Sequence, residues 1–158
     1  MVELLLGHPQ TDVNKGGADS GTTALHWAAY HGYAGIVRRL LAHPNVSADQ
    51  AADNGATALH FATESGALEA MELLLERPEV DVNAVQNMTE PMHCTGCTSL
   101  MTAAVQEFTD GVEILLQRTG VDANIQDREY LTTALGFASF LGNKGWIQYY
   151  LRTCIHQS

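Results

Sequence analysis

Apolar residues recur along the chain in clusters of helical spacing, separated by short polar stretches. Ile36, Val37, Leu40 and Leu41 fall on one face of a helix. Met71, Leu74 and Leu75 repeat the cluster, as do Val112, Leu115 and Leu116, and then Trp146, Ile147, Tyr150 and Leu151. Ahead of each lies a second apolar stretch that opens on threonine: Thr23-Ala24-Leu25-His26, Thr57-Ala58-Leu59-His60, Thr98-Ser99-Leu100-Met101 and Thr133-Ala134-Leu135-Gly136. Threonine is a good N-cap, so the pattern predicts pairs of short helices. Ala28-Ala29, Ala62 and Ala103-Ala104 are small enough for helices to approach closely. Gly32, Gly66 and Gly142 lie between the two helices and suit a left-handed C-cap; Glu107 stands where the third glycine is expected. Pro9, Pro44 and Pro78 follow the second helices and end them.

Two sets of marks measure the repeat. The threonine motifs are 34, 41 and 35 residues apart. Asp12-Val13-Asn14, Ser47-Ala48-Asp49, Asp81-Val82-Asn83 and Asp122-Ala123-Asn124 are 35, 34 and 41 apart. From threonine to the next mark the distance is 24 three times, whereas from mark to threonine it is 11, 10, 17 and 11. Constant length belongs to a packed helix pair and variable length to a surface loop.

A self-similar period of this size signals a solenoid. The repeat resembles the ankyrin repeat: Thr23-Ala24-Leu25-His26-Trp27-Ala28 and Thr57-Ala58-Leu59-His60-Phe61-Ala62 match its T-P-L-H-x-A motif with alanine in place of proline. The resemblance covers essentially the whole chain. It implies an all-α solenoid of stacked helix-turn-helix units joined by β-hairpin-like loops. The expected organisation is a single domain over 1–158, with a leading half-repeat at 1–10 and repeats at about 11–45, 46–79, 80–120 and 121–158. The chain starts within a second helix, so it reads as a truncated array and a candidate fragment of a longer protein. The resemblance also implies that His26 and His60 brace each repeat and its neighbour. Met101 and Gly136 replace that histidine, so repeats three and four are expected to be less tightly tied. Asn14, Asn83 and Asn124 occupy the position that can be hydroxylated in animal members of the family.

Composition narrows the function. The chain has 158 residues, with 8 Lys plus Arg against 18 Asp plus Glu, a net charge of −10. That charge argues against nucleic acid or an anionic membrane as partner, since both need a basic face. A hydrophobic share of 46% argues against disorder. Three cysteines are too few for a disulfide scaffold. Met1 to Leu6 is an apolar run broken by Glu3, too short for a signal-peptide core and without a basic n-region, and no apolar run approaches the length of a membrane span. A cytoplasmic or nuclear setting is the expectation, and the patterns Asn45-Val46-Ser47 and Asn87-Met88-Thr89 then read as chance matches to glycosylation sites.

One local cluster has the look of chemistry: His93-Cys94-Thr95-Gly96-Cys97, in the long interval between Asn83 and Thr98. It offers three zinc ligands where a structural site wants four, or a redox pair; Cys154 and His156 lie a repeat further on. The simpler expectation is a flexible loop with two free thiols. His8 and His43, before Pro9 and Pro44, are accounted for by the repeat, as are His26 and His60. Asn14 to Gly21 is glycine-rich but lacks the phosphate-loop pattern. Asp19, Asp53, Asp110 and Asp127 read as a solvated surface, and Trp27, Phe61 and Phe137, which share one helix position, read as packing. No catalytic constellation, cofactor or further metal site is expected.

The resemblance implies a non-catalytic protein–protein interaction module that uses the concave face of the stack. Carried over position by position, that face comprises Asp19, Ser20, Thr22, Tyr30 and His31 in repeat one, and Asp53, Asn54, Ala56, Glu64 and Ser65 in repeat two. In repeat three it comprises Cys94, Thr95, Cys97, Val105 and Gln106, and in repeat four Glu129, Tyr130, Thr132, Phe140 and Leu141. Tyr30, Val105, Tyr130, Phe140 and Leu141 are apolar or aromatic where the fold tolerates polar residues, a mark of interfaces. Asp19, Asp53, Glu64 and Glu129 favour a partner with a basic surface. The chain is expected to be monomeric. An alternative role on the same fold is a regulatory inhibitor or anchoring subunit of a kinase, transcription factor or protease.

Overall fold

The computed structural model describes residues 2–8, 10–88 and 94–142; Pro9, His93, the expected last helix at Trp146 to Leu151, and Cys154 and His156 lie outside the described residues. The chain forms two compact halves, Met1–Asp81 and Val82–Ser158.

In the first half, α1 (Val2–Leu6) precedes two helix pairs, α2 (Ala24–Tyr30) with α3 (Ala34–Leu41) and α4 (Ala58–Glu64) with α5 (Leu68–Leu75). Each first helix packs on its own second helix, α2 packs on α4, and α3 packs on α5. Burial follows the sequence pattern. Leu25, Ala28, Ala29, Val37, Leu40, Leu59, Ala62, Ala70, Met71 and Leu74 form the core, and the alanines let the helices meet closely. Val13 and Ala48, middle residues of the second set of marks, are also buried, as is their counterpart Val82 in the second half; Ala123, the fourth, is half-buried.

The second half opens with a hairpin, β1 (Val85–Met88) against β2 (Cys94–Thr98), followed by α6 (Ser99–Val105), α7 (Thr109–Gln117) and α8 (Ala134–Phe140). The strands are antiparallel, pairing Val85 with Thr98, Gln86 with Cys97, Asn87 with Thr95 and Met88 with Cys94. Gly96 is the extra residue of a bulge, with φ +79°. The longest interval in the repeat is therefore partly ordered as strands. α6 packs on α7 and on α8 around Leu100, Met101, Ala104, Val112, Leu115 and Phe137.

The threonines cap as expected: Thr98 and Thr133 accept hydrogen bonds from the N–H groups of Met101 and Gly136. Each helix pair is joined by one recurring C-cap. Tyr33 N–H donates to Ala28 O at 2.9 Å, Ala67 N–H to Ala62 O at 2.8 Å, and Phe108 N–H to Ala103 O at 2.9 Å. The residue before each donor is left-handed: Gly32 at φ +65°, Gly66 at +69° and Glu107 at +56°. Glu107 thus performs the glycine's task with a side chain that disfavours it.

A second recurring contact ties successive repeats through the last residue of each mark. Asn14 Oδ1 accepts from Ser47 N–H at 2.8 Å, Asp49 Oδ1 from Asp81 N–H at 3.1 Å, and Asn83 Oδ1 from Asp122 N–H at 2.8 Å. The two asparagines also donate, Asn14 to Asn45 O at 2.6 Å and Asn83 to Gly120 O at 2.7 Å. Asp49 has no such donor. Its carboxyl is held above the usual carboxylate range, first by burial and then by the neighbouring charges of Asp81 and Glu79, against the pull of the Asp81 N–H.

Candidate functional site

His26 shows what the motif histidine does. Its Nδ1 accepts from Thr23 N–H at 3.0 Å and lies 2.8 Å from Thr23 Oγ1; its Nε2 stands 3.1 Å from Ala56 O in the next repeat. An acceptor at Nδ1 puts the proton on Nε2, which donates across the repeat junction. His60 makes the same local bonds with Thr57, at 3.2 Å and 3.1 Å. Both rings are buried and structural, with no open face for chemistry. The glycine-rich segment has a structural cause as well. Gly17 N–H donates to Thr22 O and Gly21 N–H to Gly17 O, both at 2.9 Å, and a Cβ on Gly16 would press on the backbone of Gly21.

The turns before the first helices are linked between repeats. Asp53 N–H donates to Ser20 O at 3.0 Å, Ser20 Oγ lies 2.8 Å from Thr22 Oγ1, and Asn54 Oδ1 accepts from Ala56 N–H at 3.0 Å. Asp19, Ser20, Asp53 and Asn54 remain exposed and Thr22 is half-buried, whereas Ala56 is buried and leaves the surface set. Arg128 N–H donates to Thr95 O at 2.6 Å in the second half, the counterpart of the Asp53 link.

The exposed side of α2 is aromatic. Trp27 stacks on His31 with centroids 6.0 Å apart and planes at 18°, and His31 stacks on Tyr33 at 5.5 Å and 26°. Tyr30 meets Trp27, His31 and Phe61 edge-on at 6.4, 5.4 and 6.2 Å. Trp27 is 51% exposed, Tyr33 55% and Tyr30 38%. The packing expectation therefore holds for Phe137, which is buried, and fails for Trp27; Phe61 is half-buried. Trp27 and Tyr33 are missed by position-by-position transfer. The signal that could have found them is local: four ring-bearing residues, Trp27, Tyr30, His31 and Tyr33, lie within seven positions.

Glu64 is half-buried beside this cluster, one helical turn beyond Phe61 and at the position on α4 that Tyr30 holds on α2. Burial holds its carboxyl above the usual range, and among the described residues it has no ion-pair partner. Ser65, after it, is exposed. The described ion pairs lie elsewhere: Arg38 with Glu69 at 3.7 Å, Arg39 with Glu3 at 2.8 Å, and Arg77 with Glu79 at 3.0 Å.

In the second half, Gln106, Glu129, Tyr130, Phe140 and Leu141 are exposed, Phe140 at 83%, and Val105 and Thr132 are half-buried. Tyr130, Thr132, Gly136, Phe137 and Phe140 line a cavity of about 340 Å³. Asp127 overturns the expectation of a solvated acid. It is buried, and its carboxylate accepts N–H bonds from Glu129, Tyr130 and Thr132 at 3.0, 2.8 and 2.8 Å. It builds the turn that presents Tyr130.

The cysteine expectation is also corrected. Cys94 and Cys97 are buried in β2 and joined by a disulfide, so they are neither free thiols nor part of a flexible loop, and Thr95 alone of that trio is exposed. Two residues three apart on a regular strand face opposite ways; the extra residue at Gly96 brings them to one side. A sulfur bound to sulfur does not ligate zinc, and His93 lies outside the described residues. Among the described residues no three His, Cys, Asp or Glu side chains gather as a metal site requires. No described helix is long and apolar enough to cross a membrane.

The geometry agrees with comparison to known proteins. A family model for ankyrin repeats, in three copies, matches residues 1–86, and a model for a further ankyrin repeat matches 95–128. Among curated proteins no match is found.

Proposed function

The chain belongs to the ankyrin-repeat family, whose repeats are generally protein–protein interaction modules, and we propose that it is a non-catalytic module that holds a partner protein against its first helices and the turns before them. The observation that carries this reading is the aromatic cluster on α2. Trp27 and Tyr33 each stack on His31, and Tyr30 meets Trp27 and His31 edge-on, with large fractions of their area in water, where helix packing does not require them. Rigid aromatic side chains give contact area at low entropic cost, which is why tyrosine and tryptophan dominate interface energetics. Asp19, Ser20, Asp53, Asn54, Glu64 and Ser65 flank the cluster in the first half; Val105, Gln106, Glu129, Tyr130, Phe140 and Leu141 are the corresponding set in the second. The acidic members suit a partner with a basic surface and mainly affect on-rate and salt dependence. We further take the module to act as a monomer in the cytoplasm or nucleus.

The test is affinity capture from source-cell extract with the wild-type protein beside a Tyr30→Ala, Glu64→Lys double variant that melts at the same temperature. A partner retained by the wild type and lost by the variant is expected. An identical set of proteins on both baits would reject this face as the binding surface.

A further inference from the structure

Positive and negative charge are segregated in the first half. Residues 1–81 carry eleven carboxylates and four Lys or Arg side chains. The three arginines, Arg38, Arg39 and Arg77, lie on or after the second helices, and each is already paired with a glutamate. The first helices, Ala-Leu-His-Trp-Ala-Ala-Tyr and Ala-Leu-His-Phe-Ala-Thr-Glu, contain one charged residue between them, Glu64. Phe61, in ring contact with Tyr30, thus lies one helical turn before Glu64, a half-buried carboxylate with no ion pair among the described residues, and neither α2 nor α4 contains a Lys or Arg.

We propose that Trp27, Tyr30, His31, Tyr33, Phe61 and Glu64 form a docking site for an arginine side chain on an exposed segment of the partner protein. The proposal rests on the interaction-module reading and names the chemistry its partner must present. A guanidinium is planar and weakly hydrated, so it lies flat on an exposed indole or phenol ring; a compact ammonium gives up more hydration to do so. The same group can donate two parallel hydrogen bonds to a carboxylate, and Glu64, one turn beyond Phe61, makes no ion pair among the described residues. Partial burial disfavours the charged form of this carboxylate, and an arriving cation offsets part of that cost.

The probe is a capped tetra-arginine peptide, compared with capped tetra-lysine, titrated against the full chain. Binding is followed through the Trp27 indole N–H in heteronuclear NMR spectra. Tetra-arginine is expected to bind about tenfold more tightly than tetra-lysine and to shift the Trp27 signal. Glu64→Gln and Trp27→Leu should each weaken it by about tenfold at unchanged melting temperature. Glu72→Gln, on the exposed side of α5, should leave it unchanged. Equal affinity for both peptides, equal losses from Glu64→Gln and Glu72→Gln, or no shift of the Trp27 signal would each overturn the arginine site. The wider reading is judged separately. A captured partner lost by the double variant, yet not displaced by saturating tetra-arginine, removes the arginine site and leaves the module standing. Displacement of that partner by tetra-arginine but not tetra-lysine supports both.

Discussion

At the scale of single residues, His26 joins two repeats through one tautomer. Its Nδ1 accepts from Thr23 and its Nε2–H donates to Ala56, so a second proton would cost it the first bond. Burial pushes its pKa below the usual 6.5, against an upward pull from its hydrogen bonds to the backbone at Ala56 and Gln50. The folded chain therefore takes up this proton later than the unfolded chain does. The stabilisation is complete above pH 6.5 and is lost as pH falls through 6.5 toward the lower folded value. Asp49 and Glu64 act in the opposite sense, since burial raises both, but they do so in the carboxylate range. Thermal melts between about pH 7.5 and 6 should show the wild type losing a few degrees that a His26→Gln variant does not lose. A parallel pH response in both proteins would contradict the assignment. This role is legible in sequence because His26 recurs at the same place as His60. The role of Asp127 is not, because a buried acid that accepts three backbone N–H bonds has the same letter as a solvated one.

At the scale of elements, the turn between paired helices is fixed by a backbone cap, and the third copy sets a glutamate in it. An L-residue in the left-handed region costs about 1–2 kcal/mol per residue relative to its right-handed form. Glu107→Gly should therefore stabilise the second half by about 1 kcal/mol, read as a raised melting temperature, while Glu107→Ala should give no comparable gain, because alanine meets the same strain. A gain from alanine equal to that from glycine would point to relief of charge instead. The helix pairs are legible from threonine caps and apolar spacing, since each short helix needs both to persist. The hairpin is not. Val85-Gln86-Asn87-Met88 and Cys94-Thr95-Gly96-Cys97-Thr98 have no regular alternation, and pairing rests on backbone bonds and a bulge that no side-chain pattern announces. The disulfide follows from that bulge, and for the same reason residue spacing alone leaves it open.

At the scale of the whole molecule, repeat arrays are stabilised by the sum of each repeat and its junction with the next. The histidine bridge is present in the first half and replaced by Met101 and Gly136 in the second. Met101 is buried and fills its place, so the deficit gathers at Gly136, beside the cavity of about 340 Å³. The Thr132 hydroxyl occupies the position a Cβ of residue 136 would take, so the site is shaped around the glycine. Native-state hydrogen exchange should find α8 amides opening on the order of tenfold more readily than those of α4. Equal protection would show that the missing histidine is compensated. The repeat and its family are legible at this scale because periodicity is a property of the whole sequence. The proposed binding surface is legible only in outline. Transfer of positions includes Tyr30 and Glu64 of the proposed site but passes over Trp27 and Tyr33, whose exposure depends on how neighbouring rings stack rather than on their place in the motif.

The hairpin also bears on how such a molecule can diversify. Helix pairs hold the interval from threonine to the next mark at 24 residues, while the interval from Asp81 to Thr98 has lengthened to 17 with its ends held by strand pairing between Val85–Met88 and Cys94–Thr98. Substitution on the helices must keep their packing, so new surface gained there is confined to a few exposed positions. Length added between two paired strands carries no such restriction, and the repertoire of shapes this array can present grows there by insertion, with the helical frame left in register.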